Sequence, residues 1–468
     1  MIAADGVVQR PVLKATSGAF PIGRLPRNFI WGVSTSSFQI EGATQEDGRG
    51  PSVWDTHAHK GAIANHDTGD VACDHYHRYP EDIALMQQLG ANAYRFSVSW
   101  PRVLPQGRGT PNERGLAFYD RLIDAILATN IEPWLCLYHW DLPQALDDLG
   151  GWTTRDCIEW FSEYATLIAD RYGDRVKRFA TFNEPSIFTL FGLGFGNGKR
   201  AVASSEVLHR SIHYVNLAHG AAVDILRARV AGSSIGVIHN YQPCIPSTAA
   251  DAEAAKRCDA YWNKAFPDPQ YLGRYPEPLD RSIESVLQPG DLARISKPLD
   301  WFGLNHYSPV FVSDNRESVV GFGFGERPAE IPVTPNGWPI MPHAFEETLL
   351  TVSKRYSLPI YVLENGFGGT DTPDVNGAVD DTDRIAFMQA YIGAMNDAVA
   401  KGADVRGYFV WSLLDNFEWD AGYSVRFGLT YIDYATQRRV PKASFAWYRD
   451  LIKTARANDA GFKTSGKR

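Results

Sequence analysis

Two glutamates, Glu184 and Glu364, each follow a short apolar segment and each lie beside an asparagine, in TFNEP (181–185) and YVLENG (361–366). A pair of carboxyl groups can cleave a glycosidic bond when one protonates the leaving oxygen and the other supports the positive charge at the anomeric carbon. The second group acts either by direct attack or through a water molecule. Because isolated glutamates are mostly solvated surface groups, the pair alone does not distinguish a catalytic role from a structural one.

Eight short apolar segments, separated by stretches with helical periodicity, predict buried parallel strands. They occupy residues 29–38, 93–100, 132–140, 178–184, 234–241, 299–307, 359–366 and 407–415. One intervening helix is predicted at 79–90, where Pro80 suits a first helical turn and Gly90 suits a C-terminal cap. About eight such strand and helix units predict an α/β fold, a single closed (β/α)8 TIM barrel.

Polar and aromatic residues stand where these apolar segments end: Gln39, Trp100, His139, Trp140, Asn183, Glu184, Asn240, Tyr241, Asn305, Tyr307, Glu364 and Trp411. The carboxyl ends of barrel strands meet at one mouth, so residues that are distant in sequence can surround one small ligand there. Strands also end at polar residues simply because loops are solvated, and the pattern alone leaves that interpretation open. We expect long βα loops that form a deep pocket at this face.

Composition argues against several other classes of protein. The 468 residues include 46 Lys and Arg against 54 Asp and Glu, a formal net charge of −8 without long basic runs, so nucleic acid is not an expected partner. The five cysteines are scattered and form no C-x-x-C motif, so no metal, cofactor or disulfide framework is predicted. No stretch is apolar enough for a secretory signal or a membrane span, which predicts a cytoplasmic protein without a membrane partner.

Six segments resemble family 1 glycoside hydrolases: TFNEP, the ENG tripeptide, FIWGVSTSSFQIEGA (29–43), DHYHRYPEDIALM (74–86), YHWDLPQAL (138–146) and WSLLDNFEWDAGYSVRFGLTYID (411–433). The similarity extends from about Pro21 to about Tyr448 in the family's order. The resemblance implies a single barrel, hydrolysis with net retention, Glu184 as acid/base and Glu364 as nucleophile. We expect a disordered or extended arm at 1–20, the catalytic barrel at 21–457 and a flexible tail at 458–468.

These implied roles require opposite protonation states, since Glu364 must be ionised to attack and Glu184 must be protonated to act as an acid. Repulsion from Glu364 would raise the pKa of Glu184, and a cation beside Glu364 would keep that group ionised. Arg95, on the second predicted strand, is the expected cation. Retention also requires the two carboxyl groups to lie about 5 to 5.5 Å apart.

The resemblance further implies a set of sugar-binding residues. Asn183 is expected to bond the sugar 2-hydroxyl, and Tyr307, on the sixth predicted strand, is expected to steady Glu364. Trp411 would be the apolar platform for the sugar ring, and Trp338 the platform on the leaving-group side. The other expected contacts are Gln39, His139, Trp140, Asn305, Glu418 and Trp419. Ser186, where the family often has Trp after NEP, and the 192–205 loop are expected to border the leaving group.

Glu418 would repel a phosphate group, which favours unphosphorylated β-glucosides and oligosaccharides as substrates. Gln39 and Glu418 can bond either epimer at O4, so β-galactosides and β-fucosides are expected variants. We therefore predict an exo-acting retaining β-glycosidase that removes terminal non-reducing β-D-glucosyl residues. An endo-acting β-glycanase and a non-catalytic sugar-binding protein on the same barrel remain as alternatives. The natural aglycone is not determined by the sequence, and a homo-oligomer is compatible with it.

Overall fold

The computed structural model describes Leu13, Ala15, Ile22, residues 25–195 and residues 202–465, with side chains up to residue 457. Eight parallel strands close into a barrel, each paired with its neighbours in chain order and the last paired with the first. They are β1 Ile30–Ser34, β2 Ala93–Ser97, β3 Glu132–Tyr138, β4 Arg178–Asn183, β5 Ser234–Asn240, β6 Trp301–Asn305, β7 Ile360–Asn365 and β8 Val405–Trp411. The predicted α/β TIM barrel and all eight of its strands are confirmed.

The strands are shorter than the apolar segments that predicted them. Tyr307 follows β6 rather than lying on it, and Trp100 begins a short helix, Trp100–Val103. Gln39 lies in the short helix Ser37–Ile40 after β1. The apolar runs continue past the last ladder hydrogen bond because the first residues of the βα loops are also buried.

Helices lie between the strands, and the longest of them cover the outside of the barrel. The longer ones are Val53–His59, His75–Leu89, Glu113–Ala128, Cys157–Tyr172, Ser205–Arg229, Ala252–Asp259, Pro342–Tyr356, Thr382–Ala400 and Ala443–Ser465. Gly90 ends the second of these with φ 76°, as predicted, but the helix begins at His75 and not at Pro80. Pro80 is tolerated inside this helix near its N-terminus.

The structure describes only part of the chain ends. The last helix continues to Ser465, so the backbone of 458–465 is helical where a flexible tail was expected. Residues 466–468 lie outside the described residues, as does the predicted N-terminal arm at 1–20 apart from Leu13 and Ala15. No helix of the described residues is long and apolar enough to cross a membrane.

Large aromatic side chains fill the interior of the barrel. The indole of Trp134 lies 5.3 Å from that of Trp301, 4.8 Å from the Tyr361 ring and 5.4 Å from the Phe409 ring, measured between ring centroids. Glycine makes room for this packing, because a Cβ on Gly236 would lie 2.3 Å from the Trp301 ring. The barrel interior is therefore a packed core and not a channel, so a ligand cannot pass through this aromatic plug and can bind only at an end of the barrel.

Long βα segments build up the carboxyl end of the barrel. Strands Cys244–Pro246, Val310–Asp314 and Phe322–Phe324 form a three-stranded sheet there, and strands Thr430–Asp433 and Arg438–Pro441 form a hairpin. Segments Leu190–Gly194 and Ala260–Lys264 are π-helical turns that face the same mouth. The two π-helical turns and the strands Val310–Asp314 and Phe322–Phe324 contribute residues to the wall of a pocket at this end.

Replacement of Gly236 by alanine tests the packing of the plug. The added methyl group would force the Trp301 indole to move, so we expect Gly236→Ala to lower the free energy of unfolding by about 1 to 3 kcal/mol. Thermal unfolding measures the change as a lower midpoint. Gly192→Ala is the matched control, because its Cβ would meet no described atom within 4 Å. Equal midpoints for the two variants would contradict this account of the barrel interior.

Candidate active site

A cavity of about 1140 Å³ lies at the carboxyl end of the barrel, and both Glu184 and Glu364 line it. Eight of the residues predicted to bind substrate line the same cavity or its wall: His139, Trp140, Asn183, Tyr307, Trp338, Trp411, Glu418 and Trp419. Arg95, Gln39 and Asn305 are fully buried behind these residues. The structure thus brings the predicted residues together, eight as lining and three as support.

Glu364 is held by a charged donor and a phenol. Arg95 donates from Nη1 to Glu364 Oε1 at 2.7 Å, and the Tyr307 hydroxyl donates to Glu364 Oε2 at 2.6 Å. Arg95 is only 1 % exposed, so water does not screen its charge. Both oxygens of Glu364 therefore have donors that stabilise its ionised form.

Glu184 is held by neutral amides, and only at one oxygen. It follows β4 directly, with φ 50°, and its N–H bonds the Ile238 carbonyl on β5 at 2.8 Å. Asn240 Nδ2 and Asn305 Nδ2 donate to Glu184 Oε1 at 3.0 and 2.8 Å. No hydrogen bond from the described residues reaches Glu184 Oε2. This oxygen is free to carry a proton toward a ligand.

Burial and mutual repulsion raise the pKa of Glu184 to about 8, against the opposing effect of the two amide donors. Burial also raises the pKa of Glu364, opposed by Arg95 and Tyr307. Repulsion from Glu364, the cause expected from the sequence, is the smaller of the two effects that raise the pKa of Glu184, and burial is the larger. At Glu364 the effect of burial on the pKa outweighs that of Arg95, the cation expected to keep this group ionised. Because charge-stabilising donors are concentrated on Glu364, we assign the first ionisation to that group.

The guanidinium of Arg95 also fixes the orientation of Asn183. Its Nη2 donates to Asn183 Oδ1, and a guanidinium can only donate, so Asn183 Nδ2 must face His139 Nε2, 3.2 Å away. His139 Nε2 is then the acceptor and Nδ1 carries the hydrogen. Burial lowers the pKa of His139 well below its usual value, so the ring is neutral. Nδ1 is buried and has no described protein partner, which leaves one N–H donor for a ligand.

Aromatic rings enclose the far end of the cavity. The His139 ring is parallel to the rings of Trp411 and Trp419, with centroids 5.9 and 5.8 Å away. Trp140 packs against Trp419 with centroids 4.6 Å apart. Trp338 stands at the opposite side, where it is 38 % exposed and contacts the Tyr307 ring at 5.1 Å. The cavity therefore has apolar surfaces on both sides of the carboxyl pair.

Glu418, expected to be an ionised carboxylate, lies in surroundings that favour its protonated form. Trp411 Nε1 donates to Glu418 Oε1 at 3.1 Å, but burial raises the pKa of Glu418 to about 8, with further contributions from the charges of Glu364 and Glu184. Near neutral pH the group is then mostly protonated. Protonated Glu418 would repel a phosphate group less than the expected carboxylate would. A phosphate would still lose its hydration in this buried site.

Gln39 and Asn305 form hydrogen bonds with other residues of the protein, although both were expected to contact the sugar. Gln39 is 0 % exposed, and its Nε2 donates to Asn416 Oδ1 at 3.0 Å and to the Phe417 carbonyl at 2.9 Å. It therefore braces the segment that leads into Glu418. Asn305 Nδ2 also lies 3.1 Å from Asn183 Oδ1, so it links the two strand-end residues Asn183 and Glu184.

Sequence reasoning left out several residues that shape the site. Asn240 was noted as a strand-end residue, yet its bond to Glu184 was not predicted. Phe188, Phe191, Trp262 and Phe324 line the cavity from a short helix, two π-helical turns and a short strand outside the barrel, and elements this short leave no periodic signal in the sequence. Ser186, which was expected to border the leaving group, is buried and is not among the described residues that line the cavity. No group of three or more His, Cys, Asp or Glu side chains in the described part of the chain could hold a metal ion.

Known proteins are similar to this chain over most of its length. The family model described as glycosyl hydrolase family 1 matches residues 22–457. Beta-glucosidase A of Thermotoga maritima is 40% identical over 92% of this chain and 98% of its own length. A bifunctional beta-D-glucosidase/beta-D-fucosidase of Bifidobacterium breve is 41% identical over 91% and 98%. The solved structure of the Thermotoga maritima beta-glucosidase in complex with glucoimidazole has a TM-score of 0.88 and covers 93% of this chain and 100% of that chain.

Removal of the phenol beside Glu364 tests the electrostatics of the pair. Tyr307→Phe deletes a donor that favours the ionised carboxylate, so the pKa of Glu364 should rise by about one unit. If ionised Glu364 is required, the acidic limb of kcat/KM moves to higher pH by that amount. Tyr164→Phe is the matched control, because the hydroxyl of this buried phenol donates to the carbonyls of Leu137 and Val98 and not to a carboxyl group. An acidic limb that does not move in Tyr307→Phe would contradict the assignment.

Proposed function

The chain belongs to glycosyl hydrolase family 1, and its relatives of about 40% identity are β-glucosidases, so it is an enzyme of that type. From this premise we propose that Glu364 is the nucleophile and Glu184 the acid/base of an exo-acting, retaining hydrolysis of terminal β-D-glucosyl residues. One observation carries the assignment. Two glutamates face one cavity, and one has a cation and a phenol while the other has neutral donors and a free oxygen.

In the first half-reaction Glu364 attacks the anomeric carbon while Glu184 gives its proton to the departing oxygen. The glycosyl ester that results carries no charge on Glu364. Since that charge contributes to the raised pKa of Glu184, its loss makes Glu184 more acidic. In the second half-reaction ionised Glu184 accepts a proton from water, which attacks the ester and releases the sugar with retained configuration.

The closed end of the cavity supports action on a terminal residue. Gln39 ties the barrel to the 416–417 segment, and Trp419 packs on Phe38 and Trp54 with centroids 6.0 and 4.5 Å away. This wall stands where a polysaccharide chain would have to continue in an endo-acting enzyme. An exo-acting enzyme needs only one open end. Hydrolysis of polymer interiors without hydrolysis of aryl β-glucosides would favour the endo-acting alternative.

Glucosides are the proposed main substrates, with β-fucosides and β-galactosides as further substrates. The dual name of the Bifidobacterium breve relative supports acceptance of β-fucosides. The cavity of about 1140 Å³ exceeds the space of one sugar, and its leaving-group side is lined with aromatic residues, which suits oligosaccharide and aryl leaving groups. The odd, scattered set of five cysteines supports the proposal of a reducing, cytoplasmic location.

Loss of the nucleophile should abolish most turnover. We expect Glu364→Ala to reduce kcat by about 10⁴-fold or more, the scale at which covalent catalysis is lost. Azide or formate should restore part of the activity, because a small anion can occupy the space of the missing carboxylate. Glu347→Ala, at an exposed position of a surface helix, is the control. Turnover near the native level in Glu364→Ala would contradict the role of this residue as nucleophile. A wild-type chain that binds sugars but does not hydrolyse them would instead favour the non-catalytic alternative.

Loss of the acid should depend on the leaving group. Glu184→Ala is expected to reduce kcat/KM for an alkyl β-glucoside far more than for 2,4-dinitrophenyl β-glucoside, because only the alkoxide needs a proton to depart. Steady-state rates on the two substrates measure the ratio. Similar losses on both substrates would contradict an acid role for Glu184.

A further inference from the structure

Trp262 contacts Glu184 through one intervening residue. Its indole Nε1 lies 2.9 Å from Asn240 Oδ1, and Asn240 Nδ2 lies 3.0 Å from Glu184 Oε1. An indole nitrogen can only donate, so Oδ1 of Asn240 must face Trp262. The nitrogen of the same amide must then face Glu184. Trp262 thereby determines which end of Asn240 meets the carboxyl group.

The orientation of this amide decides where a proton on Glu184 can reside. Asn240 and Asn305 both donate to Oε1, which is therefore an acceptor and leaves the proton to Oε2. A flipped Asn240 would present its oxygen instead, and a protonated Glu184 would then donate from Oε1. That proton would be held by the protein and not by the leaving group.

We propose that Trp262 is a positioning residue that fixes the Asn240 amide and so keeps the acid proton on Glu184 Oε2. The inference rests on the proposed role of Glu184 as the acid. It assigns to an aromatic residue of the leaving-group wall a part in proton delivery, in addition to its packing.

Trp262 is well placed to hold this orientation. The π-helical turn Ala260–Lys264 is anchored by Asn263, which bonds both the N–H and the carbonyl of Gln242 at 2.9 and 2.7 Å. The indole itself is 7 % exposed and meets the rings of Phe191 and Phe324 edge-on, with centroids 5.8 and 6.3 Å away. The donor therefore has a fixed position relative to β5, which carries Asn240.

Several other charged or titratable groups face Glu184. They are Glu364 on β7, Arg95 on β2, Tyr307 after β6 and Glu418 after β8, and neutral His139 after β3 stands nearby. None of them bonds Trp262 in the described contacts. A variant that removes only the indole N–H therefore leaves these contributions to the pKa of Glu184 in place.

Trp262→Phe is the direct test, because it keeps an aromatic ring and deletes the donor. We expect kcat/KM for an alkyl β-glucoside to fall about tenfold, with less than about a twofold change for 2,4-dinitrophenyl β-glucoside. The basic limb of the pH profile should move to higher pH, since Asn240 no longer donates steadily to the ionised carboxylate. Equal losses on both substrates with an unmoved basic limb would overturn the proposal and leave Trp262 a packing residue.

Two further variants separate this result from a structural lesion. Trp152→Phe removes another indole N–H from the cavity wall, one that donates to the Tyr138 hydroxyl at 3.2 Å, and should not move the basic limb. Asn240→Ala should move it as Trp262→Phe does, and the double variant should show no further shift. Additive shifts would overturn the proposal. If Glu184→Ala shows no leaving-group dependence, the proposed function fails; if it does and Trp262→Phe does not, only the inference about Trp262 fails.

Discussion

The ion pair between Arg95 and Glu364 is the interaction on which the polar end of the cavity depends. One guanidinium stabilises the charge of Glu364, sets the amide of Asn183 and, through that amide, sets the tautomer of His139. A buried ion pair repays its desolvation only when further hydrogen bonds complete it, and here Tyr307 and Asn183 do so. The arrangement is better explained by chemistry than by stability, since it prepares two unlike carboxyl groups in one apolar enclosure.

The difference between the two glutamates lies in their donors and not in their burial. Both are almost completely buried, and burial alone would raise both pKa values. A cation and a phenol oppose that effect at Glu364, whereas neutral amides oppose it at Glu184. The barrel supplies this asymmetry because the donors come from three strands: Arg95 from β2, Asn240 from the end of β5, and Asn305 and Tyr307 from the end of β6 and just beyond it.

The sequence predicts the parts of this site that repeat with the barrel. Strands could be located from apolar segments, and strand ends meet at one mouth, so Glu184, Glu364 and Tyr307 could be placed together, while the family resemblance supplied their roles. Two kinds of feature could not be predicted. Contacts from short elements outside the barrel, such as that of Trp262 in its π-helical turn, have no periodicity to reveal them, and the support role of Gln39 depends on how the 416–417 segment folds back. The larger effect of burial than of Arg95 on the pKa of Glu364 could not be predicted either, because it depends on how deeply the carboxyl group is buried.

The aromatic plug of the barrel also constrains the order of events in a reaction cycle. With Trp134, Trp301, Tyr361 and Phe409 closing the opposite end, the mouth is the entrance and the exit for every molecule. The released alcohol must depart before the sugar behind it can leave. Any second alcohol that arrives during this interval reaches the glycosyl ester from the same side as water. Water and alcohols therefore compete for the ester through one entrance, and this competition sets the balance between hydrolysis and transglycosylation.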